Sequence, residues 1–193
     1  MNAENIKEVK RTMRKEIIFK RRQLTASYVG EADLIIANHT MALPEFKSAE
    51  TIFCFVSMKE EIDTFPILNR ILEDGKNLVV PRCISPGIMS AFHIEGLHQL
   101  SVSGYGILEP DKSLRIADPK EIDFAIIPCL SCDINGRRLG HGGGYYDRYL
   151  SNADFRTAVI CREKLMSKEI PLEAWDQTMD IVITEKRIIN LTS

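Results

Sequence analysis

The sequence predicts an α/β fold: a mostly parallel sheet with helices on both faces, in a Rossmann-like three-layer arrangement. Short apolar runs rich in β-branched and aromatic residues indicate buried strands. Segments with helical spacing of apolar residues separate several of these runs, which is typical of parallel sheets. The chain has 193 residues, enough for one domain with a hydrophobic core, and no repeat or linker divides it. We therefore expect a single domain over residues 1–193.

Helices are predicted where apolar residues recur every three or four positions and where caps and prolines bound the segment. The first is amphipathic, with its apolar stripe running from Ile6 to Leu24. The second ends before Pro44, because the residue before a proline disfavours helical geometry. The predicted helices cover about 6–24, 29–43, a segment from the Asp63–Thr64 cap to near Gly75, and a short stretch from Tyr146.

Strands are predicted from the continuous apolar runs between these helices. Pro81 and Pro128 are expected to close two of them, because proline lacks the N–H that a sheet ladder uses. The predicted strands cover 51–56, 77–80, 89–94, 124–127, 157–161 and 181–184. Ligands of such sheets bind beyond the carboxyl ends of the strands, so functional residues are expected there.

Charge and hydropathy exclude some functions. The formal net charge is -2, whereas proteins that bind nucleic acid backbones usually carry a basic excess. No apolar run approaches the length of a membrane span, and the N-terminus is polar rather than a signal-peptide core. We expect a cytoplasmic monomer that acts on small molecules, with no nucleic acid or membrane partner.

The five cysteines favour reduced, buried thiols of a cytosolic protein. Cys129 and Cys132 form a C-x-x-C pair that could be a redox pair or half of a zinc site. A redox pair normally lies at a helix N-terminus, and a zinc site needs further ligands at suitable spacing, which the sequence does not offer. Buried thiols remain the favoured interpretation.

A glycine-rich segment follows the fourth strand and carries the strongest functional signal. This segment, residues 138–148, is called the signature loop below and reads Arg-Leu-Gly-His-Gly-Gly-Gly-Tyr-Tyr-Asp-Arg. Glycines let backbone N–H groups turn toward an anion, and arginines add side-chain donors. The pattern predicts a polyphosphate cradle, although glycines alone would also fit a flexible surface loop. It is neither a P-loop nor a dinucleotide-binding fingerprint. Asp147 beside bound phosphates implies Mg²⁺, because a bare carboxylate would repel them.

Other polar residues have two interpretations each. Lys10 and Arg14 share one helix face and either clamp an anion or belong to a solvated basic surface. Glu61 follows the first strand with Glu60 and Asp63, where a carboxylate could bind a heterocycle, hold a proton or ligate a metal. Tyr105, between two glycines, either stacks on a flat ligand or anchors a loop.

Asp176 and Asp180, near the last strand, are caps or turn residues, or they complete a metal site.

Taken together, these motifs resemble the 5-formyltetrahydrofolate cyclo-ligase family, also called methenyltetrahydrofolate synthetase. The signature loop carries the main similarity, and further matches run in family order along nearly the whole chain, at residues 10–14, 55–64, 105–110 and 180–185. The resemblance implies ATP-dependent cyclisation of 5-formyltetrahydrofolate to 5,10-methenyltetrahydrofolate. At His141 the family often carries a basic residue, and at Trp175 many members carry histidine.

The resemblance also implies roles for individual residues. The implied catalytic residues are Arg14, Tyr145 and Arg148. The implied ATP-binding residues are Lys10, Arg14, Arg138, Leu139, Gly140, His141, Gly142, Gly143, Gly144, Tyr145 and Tyr146. The implied folate-binding residues are Val56, Met58, Glu61, Tyr105, His141, Gly142, Gly143, Gly144 and Tyr145. Mg²⁺ is the implied cofactor, held by Asp147 and Asp180.

Two other functions remain open from the sequence. A sugar-phosphate isomerase or an enzyme like the CoA-transferases could share the sheet and the anion loop, but it would not need ATP. A binding module that senses folate or nucleotide would hold the ligands without consuming ATP.

Overall fold

A computed structural model describes residues 3–103 and 106–191 and contains one large sheet flanked by helices. The α-helices are α1 (Ala3–Arg22), α2 (Ala26–Ala42), α3 (Pro44–Ser48), α4 (Phe65–Glu73) and α5 (Tyr145–Leu150). The strands are β1 (Thr51–Cys54), β2 (Asn77–Ser85), β3 (Ile88–Ile94), β4 (Leu100–Val102), β5 (Leu108–Pro110), β6 (Phe124–Ile127), β7 (Ser131–Cys132), β8 (Arg138–Leu139), β9 (Arg156–Ile160), β10 (Ile181–Ile183) and β11 (Ile188–Asn190).

The main sheet has seven strands in the order β11-β10-β9-β6-β1-β2-β3. The five central strands pair in parallel, and the two edge strands, β3 and β11, are antiparallel to their neighbours. The parallel strands are apolar along their length because both of their faces are covered. The predicted mostly parallel sheet is therefore confirmed.

Helices cover both faces of this sheet. On one face, α2, α3 and α4 contribute fully buried side chains such as Ile36, Phe46 and Ile67 to a core with alternate residues of the central strands. On the other face, α5 buries Leu150 in a second core. Helix α1 lies beside this layer, where Ile17 contacts residues after β6 and around β8. This arrangement confirms the three-layer prediction.

Strand β2 does not end at Pro81, contrary to the sequence prediction, but continues to Ser85. Pro81 lies opposite Ala91 of β3. The carbonyl oxygen of Ala91 points away from β2 and accepts a hydrogen bond from the N–H of Ala117. The Pro81–Ala91 pair is therefore not hydrogen-bonded within the ladder, and the nitrogen of Pro81 faces away from β3. On that side β2 pairs with β1 only as far as Val79, so the missing donor breaks no ladder bond.

Strand β1 is shorter than predicted and ends at Cys54. Phe55 and Val56 remain buried after the strand, but they leave the ladder and line a cavity at the edge of the sheet. Within the described residues, no helix is both long and apolar enough to cross a bilayer.

Candidate active site

A cavity of about 320 Å³ opens at the carboxyl ends of the central strands. Its walls include Phe55 and Val56, which follow β1, and Pro128 and Cys129, which follow β6. This is the edge at which parallel sheets bind ligands, and the volume falls in the range of small-molecule sites. Of the predicted site residues, those that line the cavity are Lys10, Arg14, Val56, Met58, Glu61 and the ten residues from Arg138 to Asp147.

Lys10 and Arg14 both reach the cavity from α1, so they do not belong to a solvated surface. Lys10 is only 5% exposed, and its Nζ lies 3.3 Å from Oε2 of Glu173 and also pairs with Asp176. These two carboxylates come from a segment more than 160 residues away in the chain. They offset the repulsion between the two cations of α1, which the helix alone would leave uncompensated.

Arg14 ties α1 to the signature loop. Its Nε donates a hydrogen bond of 2.8 Å to the carbonyl oxygen of Gly140. Burial lowers the pKa of Arg14, while the nearby charges of Glu173 and Asp176 raise it. Gly142, with a φ of 99°, lies against the guanidinium, so the loop passes directly over this side chain.

Arg138 and Asp147 form an ion pair across the loop. Nη2 of Arg138 lies 2.8 Å from Oδ1 of Asp147, and the same oxygen accepts a 3.2 Å hydrogen bond from the N–H of Gln177. The guanidinium of Arg138 also lies 5.5 Å from the ring centre of Tyr146, a cation–π contact. Burial raises the pKa of Tyr146, so its phenol stays neutral. The two hydrogen bonds to Asp147, from Arg138 and from the N–H of Gln177, are both accepted by Oδ1.

Glu61 lines the cavity from the segment that follows β1. Its Oε2 accepts a 2.9 Å hydrogen bond from the N–H of Met58, and its Oε1 lies 3.8 Å from Nε2 of His141. Arg162 donates to the carbonyl oxygen of Glu61 at 2.8 Å. Arg162 is itself buried against Asp33, with distances of 2.7 and 2.8 Å between the guanidinium and the carboxylate. The Glu61 side chain is therefore fixed with one oxygen toward the cavity and the loop.

Arg148 does not line the cavity, although the resemblance implied a catalytic role. It is exposed, and its Nη1 donates to the carbonyl oxygens of Gly87 at 3.1 Å and Gly143 at 2.9 Å. Gly144, with a φ of 68°, caps the start of α5 and lies against the guanidinium of Arg148. The structure therefore places Arg148 outside the cavity and bound to the backbone of the loop, and its implied catalytic role stays a prediction.

Asp180 is not brought to the cavity either, so its predicted role beside Asp147 is not supported. It precedes β10 and lies at the amino edge of the sheet, where its Oδ2 accepts bonds of 2.7 and 2.8 Å from the N–H and hydroxyl of Thr157. The carboxylates that reach the cavity from this part of the chain are Glu173 and Asp176. Tyr105 lies outside the described residues.

Glu173 and Glu109 are cavity residues that the sequence interpretation missed. Glu173 lies on a segment without regular structure, and its Oε1 is buried with no hydrogen-bond partner among the described atoms. Glu109 is 3% exposed and accepts a 2.8 Å bond from the N–H of Cys83. No local spacing marks either residue, because each meets its partners only through the fold.

All five cysteines are free, as the sequence predicted. Cys129, Cys132 and Cys161 lie close together behind the cavity, a grouping that the sequence interpretation did not foresee. Hydrogen bonds from the thiols of Cys129 and Cys132 lower the pKa of Cys161 well below its usual range.

An α/β sheet with a cavity at its carboxyl edge, lined by cations and carboxylates, is typical of a small-molecule enzyme. Sequence comparison gives the family. A model of the 5-formyltetrahydrofolate cyclo-ligase family matches residues 6–185, and the chain belongs to this family of ligases.

Individual relatives agree with this assignment. The chain is 29% identical over 175 residues to a 5-formyltetrahydrofolate cyclo-ligase of Escherichia coli strain K12, covering 88% of this chain and 96% of the relative. It resembles the solved structure of the 5,10-methenyltetrahydrofolate synthetase of Aquifex aeolicus with a TM-score of 0.84 and 27% identity, covering 96% of this chain and 94% of that one. A structure from Mycoplasma pneumoniae, at 23% identity and a TM-score of 0.75, shares the fold over 91% of this chain and 98% of that one.

Proposed function

We propose that this enzyme uses Mg²⁺ and ATP to cyclise 5-formyltetrahydrofolate to 5,10-methenyltetrahydrofolate, releasing ADP and phosphate. One observation carries the proposal: a single cavity joins a cationic wall, formed by Lys10, Arg14 and Arg138, to a wall where Glu61 stands beside apolar residues. The first wall suits a polyphosphate and the second a flat heterocycle with N–H donors. The names of the relatives supply the substrate and the product.

The triphosphate of ATP is assigned to the cationic wall and the signature loop. Two arginines and a lysine neutralise charge there, and the loop glycines leave backbone N–H groups accessible. Arg14 also fixes the loop through Gly140, so charge and loop position are coupled. Preorganised donors of this kind stabilise the charge that develops during phosphoryl transfer.

Mg²⁺ fits the carboxylates at the same end of the cavity. Asp147, Glu173 and Asp176 would all repel a triphosphate, and Oε1 of Glu173 is buried without a partner. A hard cation with oxygen ligands satisfies this oxygen and removes the repulsion. We assign Asp147 as a ligand, since both of its hydrogen bonds fall on Oδ1, and we assign Glu173 or Asp176 in place of Asp180. When bound by these residues, such a cation would supply positive charge against the phosphate oxygens.

The pterin of the folate is assigned to the wall of Glu61. Val56 and Met58 provide apolar contacts, while the carboxylate of Glu61 can accept N–H donors from the edge of the ring. His141 lies 3.8 Å from this carboxylate and belongs to the loop that contacts Arg14. The loop is therefore assigned a position between the two substrates, with the formyl group of the folate near the γ-phosphate.

The proposed reaction needs no covalent nucleophile from the protein. The formyl oxygen attacks the γ-phosphorus, ADP leaves, and the formyl carbon becomes an iminium-like phosphate ester. The N10 amine then attacks that carbon and loses its proton, and phosphate departs with the former formyl oxygen. These steps need positioning and charge neutralisation more than an acid or a base.

An isotope experiment tests this proposal. Purified protein is mixed with Mg-ATP and 5-formyltetrahydrofolate carrying ¹⁸O in the formyl group, and methenyl product, ADP and phosphate are measured together. We expect equal amounts of the three, with the ¹⁸O in inorganic phosphate. Product formation without ATP would refute the proposal in favour of a nucleotide-independent enzyme. Ligand binding without turnover would refute it in favour of a sensing module.

A further inference from the structure

Three cysteines from distant parts of the chain meet behind the active-site cavity. The Sγ atoms of Cys129, Cys132 and Cys161 all lie within 4.8 Å of one another. The sheet register explains the meeting. Strands β6 and β9 are parallel neighbours with Ile127 opposite Val159, so the two chain segments leave the sheet side by side, and Cys129 and Cys161 follow two positions further on. The chain then turns between Cys129 and Cys132, which brings the Cys132 sulfur close to the other two.

We propose that these three thiols form a binding site for a divalent cation that prefers sulfur ligands, such as Zn²⁺. Zinc–sulfur bonds of about 2.3 Å in tetrahedral geometry place neighbouring sulfurs roughly 3.8 Å apart, so the present separation needs only small side-chain adjustments. Binding forms three metal–sulfur bonds and releases to solvent the protons that the thiols still carry. The C-x-x-C pair thus gains from the fold the third ligand that its local sequence lacks.

Two buried guanidinium groups lie near the cluster. Arg138 and Arg162 are 8% and 4% exposed; Arg138 lines the active-site cavity together with Cys129, and Arg162 follows Cys161 in the chain. Buried guanidinium groups reduce the cost of placing negative charge in this interior. A complex of one divalent cation with three thiolates carries one net negative charge. Both arginines are already paired, Arg138 with Asp147 and Arg162 with Asp33, so they lower the cost of this charge without neutralising it.

A cation can reach the cluster and keep an open coordination position. Cys132 and Cys161 are buried, but Cys129 is half-buried and lines the active-site cavity. Cys129 and Cys161 also line a second, smaller cavity together with Arg162. Three protein ligands leave the fourth tetrahedral position to water or another small ligand, as in open zinc sites.

The alternative chemistry is a disulfide within the cluster. A disulfide would need two sulfurs at about 2.0 Å and would leave the third thiol unused. It would also need an external oxidant. Three thiols whose sulfurs all lie within 4.8 Å of one another fit a metal site better than a disulfide, which uses only two of them.

The test uses Cd²⁺ as an optical probe on the reduced, full-length protein under anaerobic conditions. We expect one equivalent to bind with the ultraviolet charge-transfer band of a three-thiolate cadmium complex, and Zn²⁺ to abolish the band by competition. Cys129→Ser should weaken binding more than about 100-fold, beyond the cost of losing an outer-shell partner. Cys83→Ser, a half-buried cysteine outside the cluster, is the matched control and should keep the band.

A second measurement on the unaltered protein avoids any folding defect of the variants. Alkylation followed by mass spectrometry should show that Zn²⁺ protects the half-buried Cys129 but not the half-buried Cys83, whereas the buried Cys132 and Cys161 are shielded in both states. A missing charge-transfer band, an equal band in folded Cys129→Ser, or protection of no cluster cysteine would overturn the proposal. A cluster disulfide in the freshly isolated protein would also overturn it. None of these readouts depends on turnover of folate or ATP.

Discussion

Replacing Arg14 by alanine removes a cation and a loop contact from the active site at once. The side chain donates its Nε–H to the carbonyl oxygen of Gly140 at 2.8 Å and carries its charge in the part of the cavity that we assign to the triphosphate. Neighbouring Glu173 and Asp176 then retain only Lys10 as a close cationic partner from α1. We therefore expect Arg14→Ala to impair catalysis far more than folding.

The expected magnitudes separate these two effects. Loss of one preorganised donor at a site of developing charge costs about 2–4 kcal/mol of transition-state stabilisation. This corresponds to a decrease in kcat/KM of roughly 30- to 900-fold. The lost hydrogen bond contributes about 1 kcal/mol to stability. In a chain of this size, that lowers the melting temperature by roughly 2–4 °C.

The assay measures methenyl product and ADP under varied Mg-ATP, with thermal unfolding of the same preparation. Arg11→Ala is the matched control, because Arg11 lies on the same helix but is 65% exposed and paired only with Glu8 among the described contacts. The control should keep kcat/KM within about twofold, since exposed ion pairs contribute little. The reasoning would be wrong if Arg14→Ala retained wild-type kcat/KM, or if Arg11→Ala lost as much.

Three further substitutions test the other parts of the site. Glu61→Gln should weaken folate binding by about 1–3 kcal/mol in calorimetric titrations and leave ATP binding unchanged, because a carboxylate acceptor for pterin N–H groups is lost. Asp147→Asn keeps an oxygen that can accept from Arg138, so we expect unchanged melting but a several-fold higher Mg²⁺ concentration for half-maximal activity. Asp33→Ala leaves the Arg162 guanidinium buried without its carboxylate, which should lower the unfolding free energy in urea by about 3–5 kcal/mol.

Each of these has a control and a contradicting outcome. Glu60→Gln changes a neighbouring carboxylate that is 60% exposed and should leave both affinities unchanged. Equal losses of folate and ATP affinity in Glu61→Gln would contradict a pterin contact. An unchanged Mg²⁺ requirement in Asp147→Asn would remove Asp147 from the metal site. For Asp33→Ala, Glu8→Ala is the exposed comparison and should cost less than about 0.5 kcal/mol, and similar losses in both would contradict a buried ion pair.

The secondary structure was readable from sequence where local patterns were strong. The strand at Phe124–Ile127 has the predicted bounds, because a continuous apolar run between polar residues is buried on both faces. The signature loop and the helix after it were also predicted, since glycines and the residues that follow them determine local backbone geometry. Pro81 misled the prediction, because whether a strand tolerates proline depends on which side of the ladder its nitrogen faces.

The active site was predictable only in part, because the role of a charged residue depends on partners that lie far away in the chain. Lys10, Arg14, Glu61 and the signature loop were identified as candidates, but spacing alone could not decide between a ligand clamp and a solvated surface. The residues that these side chains contact in the fold decide between the two interpretations. Because such partners are far apart in the chain, no spacing pattern in the sequence reveals them.

The sequence by itself determined four of the five α-helices, six of the seven strands of the main sheet, the glycine-rich loop and the family, but it did not predict α3, β11 or the short strands outside the main sheet. Only the tertiary structure decided which charged residues face the cavity: Glu173 and Asp176 meet Lys10 there, while Asp180 binds Thr157 at the opposite edge and Arg148 lies outside the cavity. It also placed Cys161 beside the C-x-x-C pair. The physical reason is that local geometry depends on neighbouring residues, whereas strand order and register are set by packing over the whole core, and these bring distant side chains together.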